Sequence, residues 1–308
     1  MANIINRSSM SGAFTPELIK DFIDRVKGES ILAKLSNQVP VPFNGRREFT
    51  FSMDNEVDLV AESGKKSGAD ISFEPVTIIP VKVEYGARMS EEFLYATEEE
   101  QIELLKAFSE GFAKKVAKGL DLMAIHGVNP RTGALATTVI GNNCLDLSVQ
   151  QSVTASGGTA DSYMEAAIAL VQGSDEDITG AAISPAFRAA LAALTANGVK
   201  VYPELAWGNA PSVINGLPVG ISGNVSAFPY DDGTNTTTDL AYVGNFRDCF
   251  KWGYAKEIPT QIIEYGDPDN SGRDLKGYNE IYMRAETYLG WAILAPTAFA
   301  KVVDVVAD

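Results

Sequence analysis

Histidine occurs once and cysteine twice in the chain of 308 residues. The two cysteines, Cys144 and Cys249, form no CxxC pair, which excludes a disulfide framework and a structural zinc site. So few thiols fit a reducing compartment. Basic charge is also short. Lys and Arg number 25 against 40 Asp and Glu, a formal net charge of -15. Such a chain repels phosphate backbones, so reading of nucleic-acid bases is excluded as its main activity. Long apolar runs are missing too. The most apolar stretch, residues 291–299, contains Pro296, and Lys301 follows two residues on. That is far short of the roughly 18 residues a membrane span needs. The opening Met1-Ala2-Asn3-Ile4-Ile5-Asn6-Arg7 has no run long enough for a signal peptide.

Catalytic and cofactor signatures are equally scarce. His126 stands at the end of a long helical pattern, where the helix dipole favours it. No Gly-x-Ser-x-Gly elbow accompanies it as part of a triad. The glycines of Gly216-Leu217-Pro218-Val219-Gly220-Ile221-Ser222-Gly223 have the wrong spacing for a dinucleotide fingerprint, and no P-loop is present. Asp267-Pro268-Asp269-Asn270-Ser271-Gly272 resembles the first half of a calcium loop, but the twelfth position is Tyr278 where Glu is required. The sequence reading therefore expects no catalytic residues, no cofactor and no metal. An enzyme would need a pocket of convergent polar groups, and no constellation for one is visible.

What is there is α+β patterning. Residues 1–14 read as a flexible arm. Thr15-Pro16-Glu17 opens a helix, and a second short helix is expected over residues 29–37. Glu48-Phe49-Thr50-Phe51-Ser52-Met53 alternates as a strand. Ile71, Phe73, Val76, Ile78, Val81 and Val83 form a second extended segment. Between them the Gly-, Ser- and Lys-rich residues 62–70 read as a turn tip. Residues 44–84 thus form a long two-stranded loop, and an isolated hairpin is marginal in water, so it needs a partner. Thr97-Glu98-Glu99-Glu100 is a capping box opening a helix to residue 125, with Ile102, Leu105, Phe108, Phe112, Val116, Leu120 and Met123 on one face. Residues 134–160 are small and weakly periodic. A helix is expected over residues 161–171 and a strand at Ala181-Ala182-Ile183. Another helix opens at Ser184-Pro185 and ends at Asn197-Gly198. Short strands follow over residues 199–202, 217–221, 240–243 and 258–263. The last segments are 281–287, 289–294 and 296–303.

The local wording carries a resemblance. Val60-Ala61-Glu62-Ser63-Gly64, Phe73-Glu74-Pro75-Val76-Thr77-Ile78-Ile79-Pro80-Val81-Lys82-Val83 and Arg88-Met89-Ser90-Glu91-Glu92-Phe93-Leu94 come in order. They are followed by Asp121-Leu122-Met123-Ala124-Ile125-His126-Gly127 with Pro130-Arg131-Thr132-Gly133, then Asn215-Gly216-Leu217-Pro218-Val219. Val243-Gly244-Asn245-Phe246 has Asn where Asp is usual, and residues 284–299 close the series. In this order they resemble the major capsid protein of tailed bacteriophages, the Hong Kong 97 type fold.

The resemblance implies an N-terminal arm and first helix over residues 1–30 and an extended loop over 44–84. It implies a peripheral domain from 31–43, 85–140 and 278–308 with a spine helix at 97–125, and an axial domain over 141–277. It implies a non-enzymatic shell protein whose main partner is itself, as pentamers and hexamers closing an icosahedral virion capsid. Packaged double-stranded DNA is contacted non-specifically, and no membrane is involved. A portal protein, a separate scaffolding protein and a decoration protein are further expected partners, with synthesis in the host bacterial cytoplasm. Glu62, Lys65, Lys66, Arg284 and Glu286 become assembly-contact candidates. Lys65 or Lys66 with Asn279 and Glu286 match the pattern by which some members crosslink subunits: the carboxylate takes a lysine proton, freeing the amine to attack the amide. The alternative within the fold is an encapsulin-type nanocompartment shell.

Overall fold

The computed structural model describes residues 30–53, 56–68, 70–91, 98–231 and 236–305. The expected arm, the helix opening at Thr15 and the cap Thr97 lie outside the described residues. Helix α1 (Ile31–Leu35) leads to a hairpin of β1 (Arg46–Met53) and β2 (Ile71–Ile78). The second extended segment divides at Pro80, which has no backbone N–H to donate, and resumes as β3 (Val81–Ser90). Helix α2 (Glu98–His126) is the expected long helix; its 29 residues span about 43 Å. Leu105, Phe112, Val116, Leu120 and Met123 are buried along it, as their spacing predicts.

The weakly periodic stretch holds α3 (Thr137–Ile140), α4 (Leu145–Ser148) and β4 (Ser152–Thr154). Then come α5 (Ala160–Gly173), β5 (Gly180–Ile183) and α6 (Pro185–Ala193), the last capped by the Ser184 side chain accepting from the Phe187 N–H. Asn197-Gly198 does not end this helix. Both residues have positive φ, 51° and 81°, and they form the turn between β6 (Thr195–Ala196) and β7 (Val199–Lys200). Asn-Gly is a strong short-hairpin signal for that reason. The rest is β8 (Val213–Ile214), β9 (Leu217–Ile221), β10 (Tyr230–Asp231), β11 (Thr236–Gly244), α7 (Phe246–Cys249), β12 (Phe250–Ile263), β13 (Glu280–Ile293) and β14 (Phe299–Val305). β13 is one strand where the sequence pattern suggested two segments.

Two larger sheets result. β12, β13 and β3 pair antiparallel with β13 in the middle. The other runs β4-β14-β11-β5-β9-β8, with β10 also on β11. Strand pairing cuts across the expected domain division. β14, placed with the peripheral segments, pairs with β11 and β4, while β12, placed with the axial segment, pairs with β13. The chain crosses between the two sheets three times, after β3, after β11 and after β13.

One apolar cluster joins α2 to the three-stranded sheet through Phe112, Val116, Leu120, Trp252, Leu289 and Trp291. A second fills the larger sheet against α5 and α6. Buried Asp121 on α2 holds α1 in place. Its carboxylate accepts from Ser30 Oγ at 2.5 Å, the Ile31 N–H at 3.1 Å and the Leu32 N–H at 3.3 Å. Asn224 Nδ2 donates to it at 2.9 Å. Burial pushes this carboxyl up and the four hydrogen bonds pull it back, with burial the larger.

Candidate functional site

The hairpin pairs from Arg46 opposite Ile78 to Met53 opposite Ile71 without a register shift. Side chains alternate between the faces of a strand, so Phe49, Phe51, Met53, Ile71, Phe73 and Pro75 share one face. The five large ones are 51–68% exposed. Phe51 and Phe73 face each other with ring centroids 5.2 Å apart. Val76 and Ile78 belong to the opposite face, and Ile78 is fully buried with Val41 and Ala292. The base of the hairpin therefore docks on its own subunit by one face, while its distal half presents the other. Val57 and Leu59, farther out, are almost wholly exposed. Glu62 lies in the turn, where Ser63 has φ 66°. Lys65 and Lys66 are exposed beside it, and Ser67 Oγ donates to Asp58 Oδ2 at 2.7 Å.

Arg284 and Glu286 sit on β13. Glu286 is buried, with Lys82 Nζ 2.8 Å and Arg284 Nε 3.1 Å from its Oε1. Asn279 precedes the strand in a left-handed conformation, and its carbonyl accepts from the Glu91 N–H at 2.8 Å. At about 3.3 Å rise per residue, Asn279 and Glu286 lie roughly 20 Å apart along one subunit. Glu286 is committed to two cations and is no free carboxylate in an apolar pocket.

The calcium-like loop is closed by a guanidinium. Arg88 donates to Asp269 Oδ2 at 2.9 Å, Glu280 Oε2 at 2.9 Å and Asp267 Oδ1 at 2.6 Å. Asp267 also accepts the N–H groups of Ser271 and Gly272. Arg88 holds the Asp269 carboxyl well below the usual carboxylate range. A depressed carboxyl stabilises the fold above its unfolded value and loses that contribution as pH falls below it. Amide protection over residues 266–275 should therefore drop as pH goes below about 4, while α2 and β13 stay protected. Hydrogen exchange at stepped pH measures this.

A buried polar cluster joins four elements. His126 at the end of α2 places Nδ1 2.8 Å from Asp146 Oδ2 of α4 and Nε2 2.8 Å from the Asn224 carbonyl. Asp239 Oδ2 of β11 is 3.5 Å from the same Nδ1. The Tyr242 hydroxyl donates to Asp146 Oδ1 at 2.5 Å. Lys301 of β14 donates to the Asp146 carbonyl at 3.1 Å, with Nζ 3.9 Å from Asp146 Oδ1. Burial and then the Asp146 charge push the Asp239 carboxyl up to about 9. At Asp146 burial also pushes upward, but the His126 hydrogen bond and the other contacts outweigh it and the carboxyl lies below its ordinary value. The sequence reading took His126 for a dipole-favoured terminus and missed this cluster, whose members are 20 and 113 residues away along the chain.

The model of the phage capsid family matches residues 12–304. The chain belongs to that family. A solved structure from Mycobacterium phage Ogopogo is 33% identical, covers 90% of this chain and 92% of its own, and superposes with a TM-score of 0.76. One from Gordonia phage Cozz is 22% identical, covers 91% of this chain and 87% of its own, and has a TM-score of 0.73. The capsid of a native GTA particle shares the fold at 13% identity and a TM-score of 0.61, covering 89% of this chain and 90% of its own. No curated protein matches the sequence.

The capsid protein is a structural, shell-forming component of the virion. Its expected α+β capsid fold is borne out. Among the described residues no helix is long and apolar enough to cross a membrane. The departure at Asn245 is explained by its local job: its side chain accepts from the Asp248 N–H at 3.1 Å as the cap of α7. Asn serves as an N-cap as well as Asp does.

Proposed function

We propose that this capsid subunit forms pentamers and hexamers that close into an icosahedral shell around packaged double-stranded DNA. The observation that carries the reading is the exposed apolar face of the loop, turned away from the face that docks on its own body. An apolar patch of this kind marks an interaction site. In a shell of identical copies the natural cover is the neighbouring subunit. Residues 44–84 then act as the inter-subunit arm, and the axial segment over 141–277 packs around the capsomer centre. Glu62, Lys65, Lys66, Arg284 and Glu286 lie at or near these contacts. The acidic balance suits a wall that does not grip the DNA it encloses. Assembly in the host bacterial cytoplasm with a scaffold, a portal and a decoration protein completes the reading.

Negative-stain microscopy of the protein expressed alone and with its genomic neighbours is the test. Closed shells or five- and six-membered rings support it, with DNA inside separating a phage from an encapsulin-type compartment holding enzyme cargo. A monomer under every condition overturns it. Because Glu286 is already paired with Lys82, mature shells boiled in detergent should run as one band at the 33.0 kDa monomer mass. A ladder of multiples would restore the Lys-Asn crosslink.

A further inference from the structure

The buried cluster at the junction of α2, α4, β11 and β14 carries more than packing requires. Asp239 is 0% exposed, yet among the described residues neither of its carboxylate oxygens has a hydrogen-bond partner, and His126 Nδ1 stands 3.5 Å from Oδ2 without closing one. The Tyr242 hydroxyl has one proton and donates it to Asp146. An unpartnered buried carboxylate is costly. The backbone is arranged to put it there: β11 carries a bulge between Asp239 and Ala241 in its pairing with β14. Bulges re-aim side chains, and this one turns Asp239 toward the same cluster as Tyr242.

We propose that His126 Nδ1, Asp146 Oδ2 and the Asp239 carboxylate bind one divalent transition-metal cation of the zinc class. These ligand atoms lie within 4.8 Å of one another, all buried. The supporting contacts are those a metal site uses. His126 donates Nε2–H to the Asn224 carbonyl, which fixes the tautomer with Nδ1 free as a ligand, and Tyr242 orients Asp146 through its other oxygen. One nitrogen and two or more carboxylate oxygens suit zinc, cobalt or manganese. Lys301 also faces the cluster, with Nζ 3.9 Å from Asp146 Oδ1, the oxygen that Tyr242 holds. The cysteine count that argued against zinc in the sequence does not bear on a site of this composition.

The test uses the full-length protein purified without chelator, then stripped and titrated with zinc or cobalt alone. The expected result is one metal per subunit by elemental analysis, and a melting temperature raised by roughly 6 °C with free metal a thousandfold above Kd. Cobalt loading should give visible absorption bands, and affinity should fall as pH is lowered. Asp239→Asn, an isostere, should lose stoichiometric binding and the thermal shift. Metal retained well below one per subunit with no thermal shift overturns the proposal, and so does Asp239→Asn binding as the native chain does. Because the native chain is compared stripped and loaded, the result does not depend on any variant folding. Failure here leaves the shell reading untouched, since particles are scored separately by microscopy.

Discussion

Shells should fail to form when Phe51→Ser and Phe73→Ser are combined, while the isolated subunit melts within about 1 °C of the native one. The two rings meet at 5.2 Å, tilted by 56°, and are 51% and 64% exposed. Their loss removes little from the subunit's own core, and surface changes of this kind stay within about 0.5 kcal/mol. At an interface the arithmetic differs. Roughly 200 Å² per aromatic side chain, about half of it uncovered in the subunit, leaves on the order of 200 Å² for a neighbour to bury. At about 25 cal/mol per Å² that is about 5 kcal/mol per contact, or more than a thousandfold in association. A shell repeats the contact at every subunit, so the deficit multiplies. Thermal melts with particle yield by sedimentation read the two effects separately. Native yields of shells from the double variant would mean the face is not buried on assembly.

The sequence made this face visible because its logic is local. Alternation in Glu48-Phe49-Thr50-Phe51-Ser52-Met53 requires only period two, and the long helix needs only apolar residues at helical spacing with a capping signal. What stayed hidden was the change of face at Pro75. Ile71 and Phe73 are at odd positions and Val76 and Ile78 at even ones, so the two pairs point opposite ways, yet in the sequence they read as one apolar segment. The Asn197-Gly198 turn was legible in principle, since that dipeptide favours positive φ at both residues, but a preceding helical pattern drew the reading toward a helix stop. The cluster around His126 was not legible at all. Its partners come from three other elements, and its most telling member, Asp239, acquires its environment from a bulge and from burial. Neither leaves a spacing in the sequence. The same holds for Arg88, which closes the acidic loop from about 180 residues away.

Asp121→Ala should be the most damaging single change to the subunit itself, costing about 4 kcal/mol. Alanine would leave four buried or half-buried donors without an acceptor: Ser30 Oγ, the N–H groups of Ile31 and Leu32, and Asn224 Nδ2. Two of these are the first N–H groups of α1, which have no partner within a helix by construction. Burial has already raised the cost of charge at this carboxyl, so it is retained for the donors it serves. For a chain of this length about 4 kcal/mol corresponds to a fall in melting temperature of roughly 6 °C. Asp121→Asn keeps one acceptor oxygen and the shape, and should cost about half as much. The consequence reaches assembly, because α1 packs on β9 and β5 through Ile31, whose side chain fills the space beside Gly220. With α1 released, the larger sheet loses one of its links to α2, the helix that carries both Asp121 and His126. Urea unfolding of the unassembled subunit measures the cost, and the order native, Asn, Ala is the result to expect. Equal midpoints for Ala and the native residue would show that α1 is held by its apolar contacts alone.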